Sequence, residues 1–397
     1  SEGTGIVHIA PGCGREDFAL GKEHGLPPIA PIDEEGVYVE GFAWLTGKKA
    51  SEVGEPILEE LAKKRLRYKK ERYAHRYPHC WRCKTELLFR LVDEWFIAMD
   101  PWRERIMRVV EQINWIPAYG RERELDWLRN MHDWMISKKR FWGLALPIWE
   151  CAPCGRFEVI GSREELRRRA VAGWAEFEGK SPHRPWVDAV KIACSRCGQP
   201  AARVKDVGNP WLDAGIVPFS TLGYTTDRSH WEKWFPADFV SESFPGQFRN
   251  WFYSLLAMST ALVDRPPFKT LFGYALVRDE QGREMHKSLG NAIEFNAAAE
   301  RMGADCLRWL YAGQVPTQNL NFGFGPAKEA HAKLLRLWNA YSFFVTYARA
   351  DGFDPRRSAV PHQRRSLFDR WILSNLHTLI QHAHRAYSEY WVVDLVK

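Results

Sequence analysis

The chain has 397 residues, of which 45% are hydrophobic, enough for one large domain and smaller ones. No run of about 18 apolar residues occurs, which excludes an obvious membrane-spanning helix. Lys and Arg number 56 against 49 Asp and Glu, giving a net charge of +7, and 326–397 alone carries 11 basic against 6 acidic residues. This excess suits a polyanionic partner, and it suits a solvated helical face equally well.

The predicted elements change character along the chain. The N-terminal region has neither an initiator Met nor a signal-peptide profile, so we expect a piece of a longer protein from a reducing, cytoplasmic compartment. The first half predicts, in order, β-like runs at 5–10 and 36–45, helices at 50–65 and 101–113, a buried strand ending near 149, and a charged helix at 162–178. Apolar runs alternate with helices over 207–325, which is typical of βαβ units around a parallel sheet, and the pattern is helical from 327 onward.

Six of the eight cysteines form three Cys-x-x-Cys pairs. Two pairs, Cys151/Cys154 and Cys194/Cys197, are separated by 39 residues and predict a four-thiolate zinc site. A glycine follows each pair and allows a tight turn behind the metal. Disulfides are the alternative, but free thiols are expected in a reducing compartment. The third pair, Cys80 and Cys83, provides further candidate ligands without a second pair in the chain.

A glycine-flanked stretch, GREMHKSLGN (282–291), follows the apolar run 271–277. It contains Lys287 directly before Ser288. Two interpretations are open: a solvated turn, or a mobile loop that holds phosphates with a cation and backbone donors.

Five blocks in one order resemble class I aminoacyl-tRNA synthetases. The sequence EMHKS within 282–291 is similar to the family's KMSKS signature, DWMISKKRFWG (133–143) to its tryptophan and Trp-Gly block, and NPWLDAG (209–215) to its W-x-D-S-G. The run 235–252 resembles its Q-x-R-G-W-F block, and GTGIVHIAPGCGREDF (3–18) resembles the end of an editing domain. PHCWRCKTELL (78–88) is most like the isoleucine-specific members, with the valine-specific ones as the alternative.

The resemblance implies a site for activating an amino acid with ATP and Mg²⁺. Lys287 and Ser288 would be catalytic at the phosphates, with Gln247 and Lys287 binding ATP. Trp211, Glu242 and Trp251 would bind the amino acid. Glu284 and His286 depart from the signature. Asn209 replaces the first Asp, and Ala214 the Ser, of the family's D-x-W-x-D-S-G, and the assignment of Glu242 and Gln247 assumes a one-residue gap.

Editing follows from the size of the substrate. An apolar pocket distinguishes isoleucine from valine by only about 1–3 kcal/mol per methylene, so mischarged valine needs hydrolysis at a second site. His8 and Asp17 match the family's editing positions. The implied partners are tRNA(Ile), ATP and L-isoleucine, and no membrane. A zinc-stabilised tRNA-binding module without catalysis is the other class of function that we weigh.

The implied fold is α/β: the second half of a Rossmann-like catalytic domain with a zinc-knuckle insertion, the end of a β-rich editing domain, and the start of an α-helical anticodon-binding bundle. The family's HIGH motif does not occur and the helical bundle ends early, so we expect truncation at the N-terminus and at the C-terminus. The predicted segments are the end of the editing domain (1–74), a connective and catalytic-core segment (75–150), the zinc insertion (151–200), the second catalytic half (201–326) and the helical domain (327–397).

Overall fold

The computed structural model describes residues 5–80, 83–357 and 359–396. Residues 3–4 of the editing-like block and residues 81–82 of the first knuckle lie outside the described part. Within that part, no helix has the length and apolarity to cross a membrane. The chain divides between Glu94 and Trp95 into two units. The limits of the five predicted segments stay a prediction.

The first unit contains two α-helices, α1 (Arg15–Glu23) and α2 (Gly54–Lys63). Helix α2 confirms the helix predicted at 50–65. The β-rich character expected here is wrong for the described residues: 5–10 is irregular, and 36–45 contributes only isolated bridges, Ile32 to Tyr38 and Val37 to Lys49. A strand needs a continuous ladder of hydrogen bonds with a partner, and in the described part of the unit these runs form isolated bridges at most.

The second unit holds the β-strands, most of them short. In chain order they are β1 (Phe96–Ile97), β2 (Asn114–Ile116), β3 (Trp134–Met135), β4 (Ser137–Lys138), β5 (Ile148–Glu150), β6 (Phe157–Val159), β7 (Ala170–Ala172), β8 (Lys191–Ala193), β9 (Pro200–Arg203), β10 (Val207–Gly208), β11 (Ala237–Ser243), β12 (Phe268–Tyr274), β13 (Val277–Arg278) and β14 (Leu320–Asn321).

The same unit holds the longer helices. They are α3 (Arg103–Val110), α4 (Tyr119–Asn130), α5 (Arg163–Arg169), α6 (Trp174–Phe177), α7 (Pro210–Ser220), α8 (Arg228–Trp234), α9 (Phe244–Gln247), α10 (Trp251–Val263), α11 (Phe295–Met302), α12 (Ala304–Ala312), α13 (Phe324–Ala350), α14 (Leu367–Ser388) and α15 (Val393–Val396). Helices α3, α13 and α14 confirm the helical predictions at 101–113 and beyond 327.

A parallel sheet forms the centre of the second unit, in the order β11-β12-β2. Strand β12 is the middle strand, and its Leu271 pairs with Val240 of β11 and Trp115 of β2. The main hydrophobic core lies between this sheet and helices α3, α4 and α10, with Trp115, Leu256 and Leu271 among its buried side chains. The parallel arrangement confirms the βαβ prediction for this region and brings the carboxyl ends of the strands to one edge.

A five-stranded antiparallel sheet, ordered β6-β5-β9-β8-β7, surrounds a second core. The single helix predicted at 162–178 is wrong: α5 ends at Arg169, and β7 separates it from α6. Gly173 explains the break, because its φ is +75° and a β-carbon there would lie 1.9 Å from the carbonyl oxygen of Ala189. A tight backbone approach replaces the continued helix.

Candidate functional site

Polar side chains meet at the carboxyl edge of the parallel sheet. Glu242 and Tyr274 lie near the ends of the adjacent strands β11 and β12. The Tyr274 hydroxyl donates to Glu242 Oε1 at 3.2 Å, and the same oxygen accepts from the backbone N–H of Ser243 at 2.7 Å. Burial and the neighbouring Glu242 carboxylate raise the pKa of Tyr274. The tyrosine therefore remains a hydrogen-bond donor, and Glu242 presents fixed negative charge at this edge.

Gln247 and Trp251 continue this edge along the chain. Gln247, at the end of α9, accepts through Oε1 from the backbone N–H of Trp251 at 3.2 Å. This satisfies one of the free amides that begin α10. The indole N–H of Trp251 donates to the carbonyl of Ala214 at 3.3 Å, which connects α10 to α7. The half-buried Trp251 is thus held at both its backbone and its ring.

Trp211 is positioned by the start of α7. Asn209 caps this helix, since its side chain accepts from the backbone N–H of Trp211 at 3.1 Å. Its amide nitrogen also donates to the carbonyl of Met135 at 3.1 Å. Asn and Asp are about equally good N-caps, so the departure at residue 209 leaves this structural role intact. Gly215 allows α7 to approach α10, because a β-carbon there would lie 2.6 Å from the Ser254 carbonyl oxygen.

A buried phenylalanine packs between strand β12 and helix α4 beneath this edge of the sheet. Phe244, directly after β11, is only 3% exposed. Its ring lies against the backbone of Gly273, where a β-carbon would come within 1.8 Å, and against Gly120, where it would come within 2.5 Å. The two glycines make room for the ring. Sequence reasoning missed the pairing of Phe244 with Gly273; the one-residue gap assumed for Glu242 and Gln247 was the available signal.

The loop of Lys287 is closed by a polar brace that sequence reasoning also missed. The buried carboxylate of Asp279 accepts from Asn291 Nδ2 at 3.0 Å and from the backbone N–H of Arg283 at 2.8 Å. Asn291 in turn accepts from the backbone N–H of His286 at 3.0 Å. Hydrogen bonds from Asn291 and Arg283 hold the pKa of Asp279 below its ordinary value. The Asp-x-x-Gly turn at 279–282 and the asparagine after Gly290 were the sequence signals.

Lys287 and Ser288 lie on the exposed side of this braced loop, in a single 3₁₀ turn. Among the described residues, the Lys287 ammonium has no carboxylate within ion-pair distance. Glu284, the acid that departs from the family's signature, contacts His286 instead, with 3.3 Å between Oε2 and Nε2. The lysine therefore keeps its charge available for an anion.

A second carboxylate fastens the loop to the long helix α13. Glu280 Oε1 accepts from the backbone N–H of Gly325 at 2.9 Å, in the first turn of that helix. A β-carbon at Gly323 would lie 2.2 Å from the Glu280 side chain. The negative charge sits where the helix dipole is positive, so Glu280 couples the base of the Lys287 loop to α13.

These contacts define which predicted residues come together. Hydrogen bonds join Glu242 to Tyr274 of the next strand and Trp251 to the helix of Trp211, and Gln247 binds the start of α10. Lys287 and Ser288 follow the same strand β12 along the chain, and no hydrogen bond or ion pair ties them to the indoles within the described residues.

The four predicted zinc ligands form one cluster. The Sγ atoms of Cys151, Cys154, Cys194 and Cys197 all lie within 4.8 Å of one another, with pairs at 3.4 and 3.6 Å. The two knuckles share one geometry: the amide of Gly155 donates to the Cys151 carbonyl, and that of Gly198 to the Cys194 carbonyl. Both glycines have positive φ, +66° and +71°, as the predicted tight turns require.

The thiols of this cluster have unequal acidities. Burial raises the pKa of Cys151 to about 12, whereas backbone N–H groups of Cys197 and Arg196 lower the pKa of Cys194 to about 7. Four sulfurs in a tetrahedron around zinc, each about 2.3 Å from it, lie about 3.8 Å apart, close to the observed separations. A dication would stabilise all four thiolates together. The donor set therefore fits a metal ion, and these four cysteines can hold one.

Cys80 and Cys83 form a separate knuckle in the first unit. The Cys83 thiol contacts the Thr85 hydroxyl at 3.3 Å, and hydrogen bonds with Thr85 lower its pKa to about 7. Among the described residues, the cluster of Cys151 is the one group of three or more metal-ligating side chains, so no third ligand approaches Cys80 and Cys83 there.

The predicted editing residues also lie in the first unit. Asp17 belongs to the first turn of α1, and its Oδ2 accepts from the backbone N–H of Ala10 at 2.9 Å. This bond ties the helix to the segment that carries the exposed His8, two residues earlier. The Asp17 carboxylate thus holds the backbone at Ala10, and His8 lies two residues before that contact along the chain.

Comparison with known proteins agrees with this architecture. Residues 33–323 match the family of tRNA synthetases class I (I, L, M and V). The match spans most of the chain, and the chain belongs to this family.

The curated relatives described next are both named isoleucine--tRNA ligase. Isoleucine--tRNA ligase of Methanopyrus kandleri is 38% identical over 416 residues, covering 100% of this chain and 38% of the relative. The enzyme of the same name from Thermus thermophilus is 40% identical, covering 98% of this chain and 37% of the relative. The chain therefore spans less than two fifths of these relatives' length.

Solved structures share the fold. Methionyl-tRNA synthetase of Mycobacterium tuberculosis, in complex with methionyl-adenylate, superposes with a TM-score of 0.55 at 14% identity, covering 81% of this chain and 53% of that one. LeuRS of Agrobacterium radiobacter K84, in a ternary complex with tRNA and LeuAMS, superposes with a TM-score of 0.51 at 21% identity, covering 67% of this chain and 35% of that one.

Proposed function

We propose that this chain is part of an enzyme that ligates isoleucine to its tRNA at the expense of ATP, through an aminoacyl-adenylate. The observation that carries the proposal is similarity over the whole chain to isoleucine--tRNA ligases, at 38% identity for the Methanopyrus relative. The arrangement at the carboxyl edge of the parallel sheet supports it, because ligands of open α/β folds bind at this edge.

Activation would proceed by attack of the isoleucine carboxylate on the α-phosphorus of ATP. The new bond joins a carboxylate oxygen to phosphorus, and the bond to the bridging oxygen breaks as pyrophosphate leaves. Charge builds up on the phosphate oxygens, so fixed cations and backbone donors are the useful groups. Lys287, exposed and without a carboxylate partner among the described residues, would meet this charge, with Ser288 donating beside it. Mg²⁺ would accompany the ATP, and Gln247 would contact the adenylate.

Trp211 and Trp251 would form the wall of the amino-acid pocket, and Glu242 would receive the substrate ammonium. Since such a pocket separates isoleucine from valine by only about 1–3 kcal/mol, valine would also be activated. Hydrolytic editing would then fall to the first unit. Asp17 would bind the ammonium of a valyl ester, and His8 would position the terminal ribose of the tRNA.

The thiolate cluster would hold a structural zinc ion, since four protein ligands leave no open position for chemistry. Cys80 and Cys83 would bind metal only with further ligands, since no third ligand approaches them among the described residues. The enzyme would act on tRNA(Ile), with the basic helical region 326–397 contacting phosphates.

A chimera provides the test. The segment of the Methanopyrus kandleri enzyme that aligns with this chain is replaced by residues 1–397, and amino-acid-dependent exchange of pyrophosphate into ATP is measured. We expect exchange with isoleucine, and with valine at least about tenfold lower kcat/KM. A folded chimera, verified by its thermal transition, that supports exchange with neither amino acid would overturn the ligase assignment; preference for valine would reassign the substrate.

Accumulation of valyl-tRNA tests the proposed editing site separately in the same chimera. Asp17→Ala should leave isoleucine-dependent exchange intact and allow valyl-tRNA to accumulate, because the ester would lose its ammonium anchor. Glu16→Ala, at the exposed neighbouring acid of α1, is the matched control. Unaltered hydrolysis of valyl-tRNA in the Asp17 variant would show that this carboxylate has no part in editing.

A further inference from the structure

Residues 65–79 form a basic aromatic segment that the proposed function does not use. The segment contains six Lys and Arg, three Tyr and two His against a single acid, Glu71. It follows α2, lacks helix or strand over 66–78, and every residue in it is exposed. Tyr68 is fully exposed and Tyr73 is 81% exposed. Contiguous exposed aromatic surface rimmed by charge is typical of an interaction site.

The rings of the segment form a ladder. Tyr73, His75, Tyr77 and His79 alternate along the chain, which places their side chains on one side of an extended backbone. The centroids of Tyr73 and His75 are 6.0 Å apart with an interplanar angle of 18°, and Tyr77 follows at 6.0 Å from His75. The Tyr77 hydroxyl donates to the Leu87 carbonyl at 2.9 Å, which anchors the ladder to the rest of the unit.

The charges of the segment are mostly uncompensated. Lys69 pairs with Glu71, and Lys70 pairs with Glu55 at 2.6 Å. Arg65, Arg67, Arg72 and Arg76 have no carboxylate within ion-pair distance among the described residues. Arg72 precedes Tyr73, and Arg76 lies between His75 and Tyr77 along the chain. Four guanidinium groups on a segment with exposed rings suit a ligand that carries both regular negative charge and flat faces.

We infer that residues 65–79 are a binding track for single-stranded RNA, with the rings stacking on bases and the arginines contacting phosphates. Nucleobases supply the flat faces and the backbone supplies the charge, and single strands, unlike duplexes, expose both. Acidic polypeptide would satisfy the arginines and leave the rings without partners. The inference rests on the proposed function in one respect, namely that RNA is the natural polyanion.

The test uses the 397-residue chain and a fluorescently labelled 12-nucleotide oligouridine, with binding followed by anisotropy. We expect binding that weakens with salt, at a log–log slope of about −3 if four phosphates are neutralised. Tyr73→Leu keeps the charge and removes one ring, and should weaken binding about 5- to 150-fold. The doubly substituted Arg72→Glu, Arg76→Glu chain should weaken it at least about tenfold and flatten the salt slope.

The control reverses two charges elsewhere. Arg121 and Arg123 are exposed residues of α4 outside the segment, so Arg121→Glu with Arg123→Glu should leave oligouridine binding within about twofold. Equal binding of a 12-base-pair RNA duplex, equal displacement by polyglutamate, no effect of Tyr73→Leu, or equal weakening by the control pair would each overturn the inference. These assays need no adenylate chemistry, so their failure is separable from failure of pyrophosphate exchange in the chimera.

Discussion

Asn291 donates a hydrogen bond of 3.0 Å to the carboxylate of Asp279, and this contact joins the two ends of the loop that carries Lys287. The carboxylate is buried while the lysine is exposed, so the loop has a rigid base and an accessible tip. A phosphate-binding cation needs this combination, because a preorganised charge stabilises the transition state without being reordered during the reaction.

Asn291→Ala should loosen the loop. The variant loses the donor to Asp279 and the acceptor for the His286 amide, so trypsin should cleave after Arg283 and Lys287 about tenfold faster, corresponding to about 1.4 kcal/mol of local ordering. Cleavage sites are identified by mass spectrometry of the 397-residue chain. Asn296→Ala removes an exposed amide that donates to Glu294 Oε1 at 3.3 Å; it is the control and should leave the rate unchanged. Equal cleavage of both variants would mean that the brace does not order the loop.

Metal content tests the thiolate cluster. The purified chain should contain one zinc ion, and Cys154→Ser should lose it and lower the melting temperature, since a structural zinc contributes folding free energy. Cys13→Ser, at an exposed thiol outside the cluster, should retain the metal. Acidification should release zinc because protons compete for the thiolates. A Cys154→Ser chain with full zinc content would contradict the assignment.

Glu124 makes stability depend on pH in an unusual direction. Its side chain is fully buried in α4, neither oxygen has a hydrogen-bond partner among the described residues, and burial raises its pKa well above the ordinary value. The unfolded carboxyl ionises at about pH 4.3, whereas the folded one is still protonated at that pH. The free energy of unfolding should therefore fall as pH rises from that value through the raised folded pKa.

Glu124→Gln should remove this dependence and stabilise the protein by about 1–3 kcal/mol at pH 8. Urea unfolding between pH 5 and pH 8 measures the difference, and the gap between variant and parent should widen with pH. Glu122→Gln, on the same helix at a side chain that is 61% exposed, should do neither. A parallel pH dependence of parent and Glu124→Gln would show that the buried carboxyl does not titrate in this range.

Glu280 and Gly323 should be energetically coupled. Gly323→Ala places a β-carbon 2.2 Å from Glu280 and should cost about 1–3 kcal/mol as the carboxylate is displaced from the start of α13. Glu280→Ala should itself lower the free energy of unfolding by about 1 kcal/mol, because the start of α13 loses its cap. In that background Gly323→Ala should lower the free energy of unfolding much less than it does in the parent. A double-mutant cycle from urea unfolding measures this. Additive effects would mean that the carboxylate does not hold the helix start.

Sequence patterns predicted the elements whose partners are local or whose spacing is diagnostic. The two cysteine knuckles carry their own turn geometry, so Gly155 and Gly198 could be assigned their roles in advance. The helical period beyond 327 likewise predicted a helix, observed as α13, and the apolar run 271–277 marked the strand β12. The roles of Lys287, Glu242 and the other proposed site residues came from motif order and remain predictions.

Contacts between distant residues could not be read from the sequence. The run at 36–45 has the composition of a strand, but a strand also needs a continuous ladder with a partner, and in the described unit this stretch forms only isolated bridges. The helix predicted at 162–178 is interrupted where Gly173 approaches Ala189. These residues are 16 positions apart, and the spacing of apolar residues gives no sign of such a contact. Phe244 over Gly273, and Glu280 against Gly323, are likewise pairs whose members look unremarkable alone.

Lys287→Ala in the chimera tests the central claim most directly, with Lys328→Ala, an exposed lysine of α13, as the control. Loss of one cation at the transferring phosphate should lower the rate of isoleucine-dependent pyrophosphate exchange about 100- to 1,000-fold while leaving the KM for isoleucine nearly unchanged. An exchange rate equal to that of the control, with the chimera folded, would contradict the role of Lys287 as the phosphate-binding cation.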